Sequence, residues 1–442
     1  MNRMAPLSQE EVEKIIKASK PFLKLEIGDI NFSERTFDVP ISFDYAEFVG
    51  NVNFCNSVFN KRITFVGAKF GKQACFNGAH FTKGVDFLNA EFKLNVEAKF
   101  WQTHFEDRTN FNNAIFWHKA QFNSALFLGR TAFAGTKFKC ADFEYAQFEE
   151  VFFNFSRFYE TAEFGNIEFK DKASFLEVEF CKGARFENAR FWKTAAFQGN
   201  KVKVIFQQPS TFKNAQFGDD VIFRNLNLRH VSFLNAIKLD KVQFINVEWN
   251  AQKAWPYTTR KTVHDESTVD TQENYPLIEN IYRQLKINYE SKGNYGYAGD
   301  FHYGEMEMRR LSFGTFFRRN LSLTAFYKYS SGYGENPGLA FFILLTFWVI
   351  CAEFYLFFGL NVNKGNLINY DWTFNIKCFI DIQLWRDFCV ALWYSIQQSF
   401  LQKSLIAEVD NMFGKIVGII DSILGPLQIA LFGLAVKRRF KR

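Results

Sequence analysis

Signatures of catalysis are missing from this chain of 442 residues. No HExxH, GxSxG or Walker motif occurs and the 6 histidines are scattered, so neither an enzyme nor a cofactor or metal site is expected. A lone histidine among phenylalanines, as at His80 or His104, reads as solvated or satisfied. Gly293, Gly296 and Gly299 fall in a GxxGxxG spacing with no strand before it, which does not suit a phosphate loop. Cysteine is equally unpatterned: Cys55, Cys75, Cys140, Cys181, Cys351, Cys378 and Cys389 form no CxxC pair and their number, 7, is odd. Free thiols in a reducing compartment are the expectation. Met1 to Ser19 is charged and has no apolar h-region, so no secretory signal is expected and whatever precedes the first apolar span is placed in the cytoplasm. Blocks of like charge are absent between Asn31 and Asn250, which hold a balance of roughly +3 within a total of +7. The clusters lie at Arg309-Arg310, Arg318-Arg319 and Lys437 to Arg442, beside apolar stretches, so membrane lipid head groups are the expected partner and nucleic acid is not.

Proline supplies only 8 residues while phenylalanine supplies 58. Such an excess must be positional, because each ring needs a core to enter. Phe recurs at 32, 37, 43, 48, 54, 59, 65, 70, 76, 81, 87 and 92, so the spacing alternates five and six. From Phe138 to Phe158 it is five throughout, then the alternation resumes to Phe197 and fades through Phe233, Leu239, Phe244 and Trp249. A small residue often stands two before the ring, as at Ala46, Ala68, Ala90, Ala125 and Ala146. Neither a helical period of 3.6 nor a strand period of 2 gives these intervals. A coil of short sides does, with one large residue per side pointing to the axis and polar residues facing water.

These residues resemble the pentapeptide repeat family, in units such as Ala141-Asp142-Phe143-Glu144-Tyr145. The resemblance implies an all-β, right-handed quadrilateral solenoid over residues 22–250. With about 22 residues per coil and about ten coils the rod is expected to be near 50 Å long. The gaps from Phe92 to Phe100 and from Phe197 to Phe206 are expected to be bulges or loops. A solenoid end exposes unpaired backbone, and residues 1–21, with a capping box at Ser8 to Glu11 and Val12, Ile15 and Ile16 on one face, read as a helical cap. Some members of that family mimic duplex DNA and bind topoisomerases; such mimicry needs a strongly acidic rod, and this one is near neutral.

Beyond Trp249 the period stops. Residues 251–274 read as a polar linker, and 275–337 as a helical connecting region with Ile278, Ile281, Tyr282 and Leu285 on one face. The order Tyr282, Leu285, Gly293-Asn294-Tyr295, Ala298 and Phe301 is similar to a tetratricopeptide helix pair, with a plain spacer as the simpler reading. Residues 338–442 contain two apolar stretches, Gly338 to Leu360 and Ile416 to Val436, each long enough to span a membrane as a helix. The flanking Arg/Lys clusters place the solenoid and the C-terminus on the cytoplasmic side of a cell inner membrane, with Asn361 to Asn411 outside. Within that loop, about Asp387 to Phe400 is apolar but too short to span, and is expected to be re-entrant or interfacial.

This layout of span, short helix and span resembles the two-transmembrane pore module of potassium-channel-like proteins, carried by Trp393-Tyr394-Ser395 and by Gly425-Pro426-Leu427 to Arg439. A T-V-G-Y-G filter is not there: Gln397, Gln398, Ser399 and Lys403 occupy the pore-loop position, and Gly332-Tyr333-Gly334 lies before the first span. In the second span Gly414, Gly418, Asp421, Gly425 and Gln428 share one helical face, read either as a packing seam or as a pore lining, which two spans form only as an oligomer. Glu353 is an intramembrane charge in the first span, with Lys415 or the interface as its outlet. The expected function is an oligomeric membrane pore or permeabilising effector with the solenoid as sensor; the alternative is a membrane-anchored scaffold whose solenoid binds a protein partner.

Overall fold

The computed structural model describes residues 5–200, 205–255, 258–268, 272–362, 366–370, 382–402, 404, 407–409 and 411–440. They divide into two compact units, residues 1–288 and 289–442. The connecting region expected at 275–337 is therefore shared between them.

The first unit is a solenoid of parallel two- to nine-residue strands in one 16-stranded and one 15-stranded sheet. Residues pair one coil apart. The interval is 22 where five and six alternate (Glu47, Lys69, Glu91), 24 where a turn at Leu94 to Val96 is inserted (Glu91, Ile115), and 20 where five runs throughout (Lys137, Arg157). Each of the four sides stacks its phenylalanine on that of the next coil. In one such ladder nine successive pairs link ten rings from Phe32 to Phe233, with centroids 4.7 to 5.7 Å apart. Rings from different ladders meet edge to face, as Phe76 and Phe87 do at 5.6 Å and 88°. Both geometries avoid the face-to-face overlap that the ring quadrupole disfavours.

Two kinds of corner explain the alternating spacing. After Phe43 the chain makes a β-turn closed by Ala46 N–H donating to the Phe43 carbonyl (3.1 Å), and its third residue, Tyr45, has φ +57°. That left-handed position recurs about every eleven residues and is filled mostly by Asn or Gly, as at Asn56, Gly67, Gly78, Asn89, Asn113 and Gly135. Where asparagines stack they bond along the rod: Asn214 Nδ2 donates to Asn188 Oδ1 (3.0 Å) and Asn235 Nδ2 to Asn214 Oδ1 (2.9 Å). At the other corners a six-residue side carries one extra residue. Against a five-residue neighbour it becomes a β-bulge, between Phe116 and Lys119 opposite Phe138 and Cys140.

One sequence expectation fails inside the rod. Cys55 and Cys75 are disulfide-bonded, with Cα atoms 5.8 Å apart. Cys75 pairs with Asn53 on the preceding coil, and Cys55 follows two residues later in the turn, so coiling brings together thiols 20 residues apart in sequence. Cys140, Cys181, Cys351 and Cys389 are free.

Both rod ends are covered. Helix α1 (Gln9–Lys17) buries Val12 and Ile16, and Glu11 accepts from the Ser8 backbone N–H (2.8 Å), while Gln9 bonds the Asn31 backbone. At the other end, residues expected as a patternless linker form an antiparallel hairpin, Asn250–Trp255 with Thr258–Thr262, followed by α2 (His264–Thr268). Trp249 packs edge-on against Phe244 at 5.3 Å. Buried Asp265 accepts from Ser232 Oγ (2.5 Å) and the Phe233 N–H (2.9 Å). Helix α3 (Tyr275–Ser291) adds Gln284, which bonds Leu239 N and the Ala236 carbonyl. Asn288 Nδ2 donates to the carbonyls of Leu239 (2.7 Å), Asp240 (3.2 Å) and Val242 (2.6 Å). Polar side chains thus complete the backbone bonds that a further coil would have made.

The second unit holds α4 (Tyr295–Leu311), α5 (Phe316–Asn320), α6 (Leu323–Ser331), α7 (Pro337–Phe358), α8 (Ile382–Ser399) and α9 (Met412–Phe440). A small antiparallel sheet of 360–362, 366–368 and 407–408 lies between the long helices in sequence.

Candidate functional site

Helix α7 starts where Asn336 Oδ1 accepts from the Leu339 N–H (3.0 Å) with Pro337 in the first turn, and it ends at Gly359, φ +97°. Helices α7 and α9 are long and apolar enough to cross a membrane. They run antiparallel, with Phe341 against Phe432 at one end and Phe358 against Phe413 at the other.

The polar face of α9 is packed along its length against its own chain. Gly414 lies against Phe358 and Val409, and Gly418 against the Tyr355 hydroxyl. Asp421 is fully buried; its carboxylate accepts from Ser399 Oγ (2.8 Å) and the Tyr355 hydroxyl (3.2 Å). Ser399 in turn accepts from Trp348 Nε1 (2.9 Å). A Cβ on Gly425 would collide with Ser399, so glycine lets α8 approach α9 at that level. Gln428 Nε2 donates to the carbonyls of Ser330 and Ala340, both at 2.9 Å. An ionisable group inside a span needs internal partners, and here α7 and α8 supply them.

Helix α8 is longer than the short apolar segment expected from about 387 to 400, because it begins at Ile382. It packs on both long helices, Tyr394 meeting Tyr355 edge to face at 4.9 Å. The pore-loop candidates Gln397, Gln398 and Ser399 form its last turn rather than a loop. The carbonyls of Gln397 and Gln398 accept from Gln402 and Leu401 N–H, both at 2.9 Å, so they are spent on ending the helix. Lys403 lies outside the described residues. Glu353 is exposed on α7, Lys415 is exposed on α9, and neither side chain makes a hydrogen bond or ion pair among the described residues; the expected pair between them is not formed within the chain. Tyr355 and Trp348 were not singled out from sequence. The available signal was that each carries a polar tip inside an apolar span and needs a partner there.

A second cluster sits just before α7. Glu307 on α4 accepts from Arg310 Nη2 (2.8 Å), Lys328 Nζ (2.8 Å) and the Tyr333 hydroxyl (2.8 Å). Burial alone would raise its pKa, but the Arg310 and Lys328 bonds outweigh burial and hold the carboxyl at about 2. Gly332-Tyr333-Gly334 is the turn that ends α6: Gly332 is left-handed at φ +57°, and the Tyr333 carbonyl accepts from Arg438 (3.0 Å), which also pairs with Glu335 (3.0 Å).

Residues 65–115 match the family model described as "Pentapeptide repeats (9 copies)". The rod is a pentapeptide-repeat solenoid. No curated protein matches the chain. Among solved structures, that of QnrB1, described as a plasmid-mediated fluoroquinolone resistance protein, aligns at 12% identity over 49% of this chain and 87% of its own, with a TM-score of 0.19. On the pentapeptide-repeat solenoid, charges pair between adjacent coils: Arg185 with Glu163 (3.0 Å), Arg190 with Glu168 (3.1 Å) and Arg157 with Glu179 (3.1 Å). These exposed pairs add little stability, but they leave a rod surface of mixed sign.

Proposed function

We propose that the protein is a membrane-anchored scaffold: α7 and α9 span the bilayer with both ends on the same side, and the pentapeptide-repeat solenoid presents its sides to a protein partner. The observation that carries this reading is the intrachain satisfaction of Asp421 and Gln428, together with the tight packing of Gly414 and Gly425. A face occupied in this way is not available to line water. The presence of α8, which would be surplus in a bare anchor, is accounted for by its supply of Ser399 to Asp421. The mixed charge of the rod favours a protein partner over nucleic acid.

A second reading, an oligomeric pore, is favoured by Glu353 and Lys415. Both are exposed on apolar helices at the same end of the pair, and a neighbouring copy would satisfy them. The deciding experiment is native mass spectrometry in detergent paired with ion flux from liposomes. The scaffold predicts no flux whatever the oligomeric state. Flux that Asp421→Ala changes would replace it with the pore.

A further inference from the structure

The segment between α4 and α7 carries a surface that the anchor alone does not explain. Phe316, Phe317, Leu321 and Leu323 are 74%, 71%, 79% and 88% exposed, although they lie within eight residues of one another. Open apolar clusters of this kind mark surfaces that contact a protein or a membrane. On α6, Leu323, Phe326 and Tyr329 recur every three residues and are all exposed, while Ala325, Ser330 and Ser331 are buried against the unit. The outer face is therefore apolar and the inner face is small or polar, the reverse of a water-facing helix.

Cations border this face. Arg318 is exposed; its backbone N–H donates to Thr315 Oγ1 (3.4 Å), and its guanidinium has no partner among the described residues. Arg319 is half-buried and uses Nε on the Phe313 carbonyl (2.7 Å). By contrast Arg310 and Lys328 are spent on Glu307, so the basic character of the segment is not shared equally. Position limits what can cover the face. Helix α6 ends at Ser331, and α7 begins six residues later at Pro337; Gln428 of α9 holds the Ser330 carbonyl. The face thus sits at the level where the apolar helices begin.

We infer that α5 and α6 form a monotopic platform lying in the head-group layer of the bilayer, its apolar side chains among the acyl chains and Arg318 on an anionic lipid head group. This inference rests on the membrane-spanning reading of α7 and α9. Interfacial helices combine such an apolar face with basic residues, and each arginine near an anionic surface changes binding about fivefold.

The test uses the full chain in nanodiscs of phosphatidylcholine alone or with phosphatidylserine, a fluorescent amino acid being incorporated at Leu323 or, separately, at Ile420 on the exposed face of α9. Shallow spin-labelled lipid should quench both probes, and phosphatidylserine should deepen quenching at position 323. In Arg318→Gln that dependence on phosphatidylserine should fall about fivefold while quenching at 420 stays unchanged. If lipid quenches position 420 but only aqueous iodide quenches position 323, the spans are inserted and the platform is wrong. If lipid quenches neither, the membrane-spanning reading fails and the platform with it. Quenching at 323 that ignores both phosphatidylserine and Arg318→Gln overturns the anionic head-group contact.

Discussion

Phe143 stands near the middle of its ladder, stacked on Phe122 at 4.9 Å and Phe164 at 5.2 Å and edge-on to Phe133 and Phe153. Removing the ring empties a site whose neighbours are held by hydrogen-bonded coils and cannot collapse into it. Phe143→Ala should cost about 3–5 kcal/mol in thermal or denaturant unfolding. Gly425 presents the opposite problem, since any side chain enters the space of Ser399. Gly425→Val should destabilise the helical unit by about 1–3 kcal/mol and weaken the Ser399–Asp421 bond; Leu427→Val on the exposed face of α9 serves as the neutral control.

At the scale of elements, the two caps and the Glu307 cluster set local stability. Asn288 satisfies three carbonyls of the last coil with one amide. Asn288→Ala leaves those groups without that donor and should fray residues 231–245 first, seen as amide exchange that quickens there while the Phe122 to Phe164 coils stay protected. Glu307 gives a pH signature. Its carboxyl sits at about 2 in the folded protein against an ordinary value of 4.5, so its stabilisation is complete above pH 4.5 and is lost as pH falls towards 2. Glu307→Gln should lower stability by about 3 kcal/mol at pH 7, by leaving Arg310 and Lys328 without their anion, and the difference should vanish near pH 2 in paired melting curves.

For the whole molecule the disulfide bears on compartment. Intact mass after alkylation under non-reducing conditions should show Cys55 and Cys75 blocked, and reductant should expose both. Closing a loop of about twenty residues restricts the unfolded chain, so reduction should cost about 3 kcal/mol of solenoid stability. Recovery of both thiols already free in protein isolated from the cytoplasm would restore the expectation of a reducing environment. The same scale governs the choice between scaffold and pore, because a pore needs several copies and the scaffold does not.

Phenylalanine spacing alone determined the solenoid, since a ring must point inward once per side whatever its neighbours are, and that requirement is written locally along the chain. The recurrence of Asn or Gly about every eleven residues carries the left-handed corner in the sequence as well, because these residues tolerate positive φ. The two apolar helices were also readable, because length and hydropathy suffice. What the tertiary structure decided was every partnership across distance. Cys55 meets Cys75 only because the coil closes, and Asp265 and Asn288 find the last coil only once α2 and α3 fold onto it. Asp421 meets Ser399 and Tyr355 only when α7, α8 and α9 pack together. A periodic pattern fixes which way a side chain points, whereas which atom waits for it depends on the packing of segments that the sequence lists far apart.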